Sequence, residues 1–376
     1  MLLKFTKFNF AIMLFKRYQK YVPILIAIVL VGTTSCKKDI KADEALQDSL
    51  SAHKEAPMPK IDTFPKINYH LINFTSNSRK KHFLDSLSNV PNFSQHILMT
   101  LNRKDWNYIL SSKEILVPEK FVNDIRAYSF FPLLYPGARH LKKLIIMSAH
   151  YQGVAFYEYG VLIRFAAVNS GKEKTQTYPG RYALTFKQLE RHSSIDSNWV
   201  MKYYFNFHPE AGMAFHQFTM PGYPASHSCS RMFEEDAIWL YSWGERAKLD
   251  SSKHRIPLSG TPVIILDHYP FGIEYRPWMQ FKSNKDIILD LPNNPMKVEE
   301  PLIPISQIPE DVRGMLRNRE RFIIAEDSLR KLGIIRPGVE ITKSVNFNKL
   351  RRIKKALELK KKKEMLKTQP EKEDDF

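Results

Sequence analysis

The feature that most constrains this chain's fold is a series of short apolar runs rich in β-branched and aromatic residues: Leu144 to Met147, Val154 to Tyr159, Val161 to Val168, Tyr203 to Phe207, Met213 to Phe218 and Pro262 to Leu266. Runs of this length are too short for stable helices and fit a pleated, half-buried surface, so they predict strands. Gly160 and the Ser170-Gly171 pair predict hairpin-like turns between them. Residues 141–270 therefore read as a mainly β domain. One helix interrupts it, from about Phe233 to Leu249. Ala237, Leu240, Tyr241 and Ala247 lie near one face of that helix, and Glu234, Glu235 and Asp236 answer the positive end of its dipole.

The flanks read differently. Residues 66–140 mix helical and irregular patterns, with LNRKDWNYILSSKEILVPEKFVNDI ending at FFPLLYPG, and predict a partly helical N-terminal subdomain. Residues 37–65 are polar with Pro57, Pro59 and Pro65, the composition of a tether. Residues 271–376 form a C-terminal extension that is Pro-punctuated, then helical and basic from Asn348 to Lys367, then acidic in EKEDDF; a solvated or membrane-surface tail is expected. No repeat of solenoid period is visible, which argues against a repeat-built scaffold. A chain of 376 residues can bury a real core without covalent staples.

The first 36 residues read as an address. Lys4, Lys7, Lys16, Arg17 and Lys20 precede the apolar run PILIAIVLV, and the small residues GTTS lead into Cys36. An apolar run of about ten residues is half of what a bilayer-spanning helix needs. The small residues before Cys36 resemble a bacterial lipobox, although Thr33 stands where leucine is usual. That resemblance implies a lipidated Cys36, a membrane anchor and an envelope location facing the periplasm. Cys36 and Cys229 are the only cysteines, so lipidation of the first leaves Cys229 without a disulfide partner. An unpaired thiol in an oxidising compartment suggests that its reactivity is wanted.

The formal net charge of +18 points to an anionic partner, such as nucleic acid, lipid headgroups or an acidic wall polymer. Much of the excess sits at the two ends, in the leader and in the cluster around Lys354, Lys355 and Lys360 to Lys363. Neither zinc-finger spacing nor an RNA-binding aromatic signature accompanies it, so nucleic acid is not expected as a partner.

The chemically dense segment is AFHQFTMPGYPASHSCSRMFEEDAIWLYSW, residues 214–243, which places His216, His227, Cys229 and Arg231 just before the expected helix. A helix N-terminus, an imidazolium and a guanidinium all favour a thiolate, which would make Cys229 nucleophilic. His216, on a neighbouring strand, could reach it as a base across the PGYP loop. Backbone N–H groups in the SHSC turn could stabilise an oxyanion. Two blander arrangements compete on spacing alone: a zinc site of His216, His227 and Cys229, or packing histidines around a structural thiol.

SHSCSR at residues 226–231, preceded by His216 and followed by DAIWLY and GTPVII, resembles the catalytic domain of L,D-transpeptidases. VNSGKEKTQTYPGRYAL, residues 168–184, is similar to that family's glycine turn and strand entry, and residues 101–119 to the segment before the domain in one branch. The resemblance implies a mixed β-sandwich-like fold with a helix following the cysteine. It implies Cys229 as nucleophile and His216 as general base, and His227, Ser228 and Arg231 as substrate-binding residues. It implies no metal and no cofactor. The implied reaction is attack on the bond after the L-centre of diaminopimelate in a tetrapeptide stem, loss of D-alanine, and resolution of the thioester by an acceptor amine to give a 3,3 cross-link in peptidoglycan. Water or a protein amine as acceptor, and a silent binder of wall peptides, share the same residues. The chain departs from the pattern at Ser228, which replaces glycine, at Ser230, Gln217 and Tyr178. If the turn needs positive φ at residue 228, serine is strained there.

Overall fold

The computed structural model describes residues 63–193, 198–273, 276–344 and 347–367. The expectations for the leader, Cys36 and most of the tether lie outside the described residues. Among the described residues, no helix is long and apolar enough to cross a membrane.

The described chain begins with β1 (Tyr69–Asn73), α1 (Asn77–Leu87), α2 (Gln95–Asn102), α3 (Trp106–Ser111) and β2 (Glu114–Pro118). α1 and α2 start where a serine can satisfy an orphan N–H: Ser76 accepts from Arg79 and Ser94 from Ile97. β1 and β2 pair antiparallel. Ile97, Leu98, Leu101, Ile109 and Ile115 form a core with Trp278 from much later in the chain.

The β-rich part follows as β3 (Leu144–Ser148), β4 (Gly153–Glu158), β5 (Val161–Ala167), β6 (Gly180–Ala183), β7 (Lys187–His192), β8 (Val200–His208), β9 (Met213–Gln217), β10 (Ser230–Met232), α4 (Glu234–Trp243) and β11 (Pro262–Ile265). They build two sheets, ordered β5-β4-β3-β11-β6 and β10-β9-β8-β7. β11 runs parallel to β3 and β10 parallel to β9, so both sheets are mixed. Ile145, Phe156 and Val263 from one sheet meet Phe205 and Phe215 from the other, with Ala237 and Leu240 of α4, in one buried cluster. The fold is thus mainly β, sandwich-like, with modest helix content.

The β4–β5 hairpin turns at Tyr159 (φ 47°) and Gly160 (φ 77°), as the glycine predicts. Ser170-Gly171 makes no hairpin: the Ser170 carbonyl accepts from Ala225 and Ser226, tying two loops together. α4 is shorter than expected, because Gly244 takes an extended backbone (φ −66°, ψ 147°) and the chain leaves the helix there.

The C-terminal extension is more than a solvated tail. Ile303, Ile308, Phe322, Leu329 and Ile335 belong to the same buried cluster as the two sheets, carried in part on α5 (Arg319–Ile323) and α6 (Ala325–Lys331). Only the last helix, α7 (Phe347–Lys367), matches the tail expectation; its residues 352–365 are exposed.

Candidate active site

Parallel pairing of β9 with β10 sets the site. Ser230 pairs with Phe215 and Arg231 with His216. Side chains alternate across a strand, so Cys229, one residue before Ser230, shares a face with Ala214 and His216, opposite the core-facing Phe215. Cys229 packs there with Tyr204 and Ala214. The pairing also corrects an expectation. Residues 230–232 are a strand, so α4 begins five residues after the thiol, and the positive end of its dipole meets its own Glu234, Glu235 and Asp236.

Burial dominates the thiol's electrostatics. Cys229 is 9% exposed, and desolvation pushes its pKa up to about 11 against the lowering influence of the Ala214 N–H, Arg231 and Arg191. The resting form is a thiol, not the expected thiolate. It donates to the Gly212 carbonyl, 3.6 Å away, which also accepts from the Tyr204 hydroxyl at 3.3 Å.

His216 is buried, and desolvation lowers its pKa to about 4. It is a neutral imidazole at physiological pH, not an imidazolium. Its Nδ1 lies 3.0 Å from the Gln217 carbonyl; a carbonyl only accepts, so Nδ1 carries the proton and Nε2 holds the free lone pair. Tyr204 stacks on this ring at 6.3 Å and Phe218 meets it edge-on.

Arg231 donates to the carbonyls of Thr219 (3.0 Å) and Ala225 (3.2 Å) and lies over the Phe218 ring. His227 lies 3.1 Å from Lys172 Nζ. Desolvation first, then Lys172 and Arg231, lower its pKa, leaving a neutral ring that accepts from the ammonium. Ser228 has φ 74°, in the left-handed region, so the strain expected for a serine there is present.

The turn is braced from below by residues 171–177. Lys172 N–H and Thr175 Oγ1 donate to the Ser226 carbonyl, and Thr177 Oγ1 donates to that of Ser228. Gly171 has to be glycine, since a Cβ would sit 2.1 Å from the Thr175 carbonyl and 2.9 Å from Ser228 Cα. From the other side the N-terminal subdomain holds the PGYP loop. The Asp105 N–H donates to the Met220 carbonyl, and Met220 N–H to the Asp105 carboxylate at 2.7 Å. Asn169 links the Arg103 carbonyl, the Gly222 N–H and the backbone of Arg231.

A cleft of about 550 Å³ opens over these residues, lined by His216, His227, Cys229 and Arg231 together with Tyr204, Glu210, Trp199 and a strip of the C-terminal extension. Among the described residues, no group of three or more histidine, cysteine, aspartate or glutamate side chains could hold a metal.

Residues 142–265 match the family model of the L,D-transpeptidase catalytic domain. The chain is also similar to solved L,D-transpeptidases. With the Stackebrandtia nassauensis protein it shares 20% identity at a TM-score of 0.28, over 34% of this chain and 57% of that one. The Mycobacterium smegmatis protein gives 15%, 0.27, 34% and 59%, and Mycobacterium tuberculosis L,D-transpeptidase 1 gives 14%, 0.25, 34% and 62%. The match therefore spans less than two thirds of each of these structures. No curated protein matches the chain. The L,D-transpeptidase match contains all of the residues singled out at the dense segment. Sequence reasoning missed Tyr204, Gly212 and Asp105, and only the TQTYPG string hinted at Thr177.

Proposed function

We propose that the L,D-transpeptidase domain acts on peptidoglycan stem peptides by cysteine acyl transfer, with Cys229 as nucleophile and His216 as base, forming 3,3 cross-links. The observation that carries this reading is the placement of a thiol and a neutral imidazole on one face of adjacent strands, at the floor of a cleft that also holds the Arg231 guanidinium. In the proposed step the thiol leaves the Gly212 carbonyl and Sγ attacks the scissile carbonyl carbon. His216 Nε2 takes the thiol proton and passes it to the departing amine of D-alanine. An acceptor amine then attacks the thioester and restores the thiol. Starting from a neutral pair suits proton transfer concerted with attack, since no buried ion pair is needed beforehand. Arg231 would hold a carboxylate of the donor stem, and His227 and Ser228 would shape the site beside it.

Incubating the full chain with disaccharide tetrapeptide, beside Cys229→Ala, tests this by mass spectrometry. Cross-linked dimer with loss of D-alanine, absent in the variant, is the expected result. Tripeptide alone would make water the acceptor, an L,D-carboxypeptidase, and no change would sink the enzyme reading. A silent binder of wall peptides is the second reading, favoured by the protonated, buried thiol; carbapenem labelling of Cys229 would exclude it. Membrane attachment through a lipid on Cys36, in the bacterial envelope, is part of the same proposal, and globomycin-sensitive processing at Cys36 tests it.

A further inference from the structure

The C-terminal extension reaches the cleft as well as the core. Gln307, Pro309, Asp311, Val312 and Lys343 line the same cavity as Cys229 and Arg231. This strip is pinned to the loop that braces the catalytic turn. Thr342 N–H and Gln307 Nε2 both donate to the Lys174 carbonyl, at 2.8 and 3.3 Å. Gln176 donates to the Ile334 carbonyl at 3.0 Å, and Arg336 pairs with Glu173 at 2.6 Å. A wall fastened at both ends to residues 173–176 keeps its place relative to the thiol, which is what a recognition surface requires.

The charges across the cleft differ in kind. Arg231 and Arg191 supply guanidinium groups, whereas the wall contributes the exposed Asp311. Lys343 stands on the same wall. Glu210, on the turn that carries Gly212, adds a second negative charge to the lining: its neighbour His208 is neutral, with a pKa lowered by burial to about 4, and His208 Nδ1 accepts from the Ala211 N–H, so it has no proton to offer Glu210.

We propose that the C-terminal segment is a specificity wall of the cleft, and that Asp311 on it binds the ammonium at the end of a donor-peptide side chain, with Lys343 and the arginines taking neighbouring carboxylates. The proposal takes the peptide's identity from the acyl-transfer reading, but it requires binding only and no turnover. Asp311 is a specificity-determining residue here and takes no part in bond making.

The test measures binding, so that it survives failure of catalysis. In the full-length Cys229→Ala background, calorimetry compares a tetrapeptide stem bearing a free side-chain amine with the same stem acetylated on that amine. The free amine is expected to bind roughly threefold to tenfold more tightly, as befits one solvent-screened charge pair. Asp311→Asn should bring that ratio toward one, Asp311→Glu should retain it, and raising the salt should shrink it. Turnover by the parent chain, read separately as D-alanine release, distinguishes the two proposals: preference without release leaves the wall standing and removes the transpeptidase. A ratio unchanged in Asp311→Asn, a ratio abolished instead by Glu210→Gln, or no binding of either peptide would each overturn the wall.

Discussion

At the scale of single residues the site is governed by desolvation more than by neighbouring charge. His208 and His216 both have folded pKa values lowered to about 4 from 6.5 by burial. Between those values the unfolded chain binds protons that the folded chain refuses, so stability falls as pH drops from about 6.5 toward about 4 and is insensitive to both rings above that window. The thermal midpoint should decline across this range, and His208→Gln should flatten part of the decline. An unchanged midpoint at pH 5 would contradict the burial. Ser228 supplies a second expectation. Its left-handed φ of 74° penalises any residue with a Cβ, so Ser228→Gly should stabilise by about 1 kcal/mol, a rise of roughly 2 °C in Tm. Calorimetric melting reads this directly, and a loss of stability would mean that the Ser228 hydroxyl, which donates to the His227 carbonyl, outweighs the strain.

At the scale of elements, the loops flanking β9 and β10 owe their position to parts of the chain far away. Asp105, at the start of α3, accepts from Met220 and so fixes the loop between His216 and Cys229. Asp105→Ala should slow carbapenem acylation of Cys229 by about tenfold while leaving far-ultraviolet circular dichroism intact, because one charge-assisted hydrogen bond is worth about 1.5 kcal/mol. Asp105→Asn keeps an oxygen acceptor and should recover most of the rate. Equal rates in all three proteins would show that the loop holds itself. α4 is anchored differently. Its Asp236, fully buried, pairs with Arg164 of β5 at 2.7 Å, an arrangement in which losing one partner strands the other.

For the whole molecule, the C-terminal extension divides in two. Residues 301–335 place Ile303, Ile308, Phe322, Leu329 and Ile335 in the core shared by both sheets, whereas residues 352–365 of α7 are exposed. Truncation after residue 344 should leave the thermal midpoint within about 1 °C, since removing a solvated helix changes little buried area. Truncation after residue 300 should give insoluble chain. Soluble, cooperatively melting protein from the shorter form would show that the core closes without this segment. α7 carries the basic cluster of the tail, and its residues 352–365 contribute nothing to the buried clusters.

The sequence by itself determined the strands whose apolar runs are long and β-branched, because burial on both faces leaves a mark that local composition preserves. It also determined the dense segment, since His216, His227, Cys229 and Arg231 fall within sixteen residues of one another. β7 escaped because KQLERH is an edge strand with Leu189 60% exposed, and β10 because three residues carry no periodicity; its pairing with β9 is long-range information. The tertiary structure alone decided the thiol's protonation state, since desolvation depends on what packs around Cys229 rather than on its neighbours in the chain. It likewise decided that Asp105 and Asp311, more than a hundred residues before Cys229 and some eighty after it, reach the same site. Contacts at that separation are set by how the sheets and their flanking segments bury apolar surface together, and no local pattern of residues encodes them.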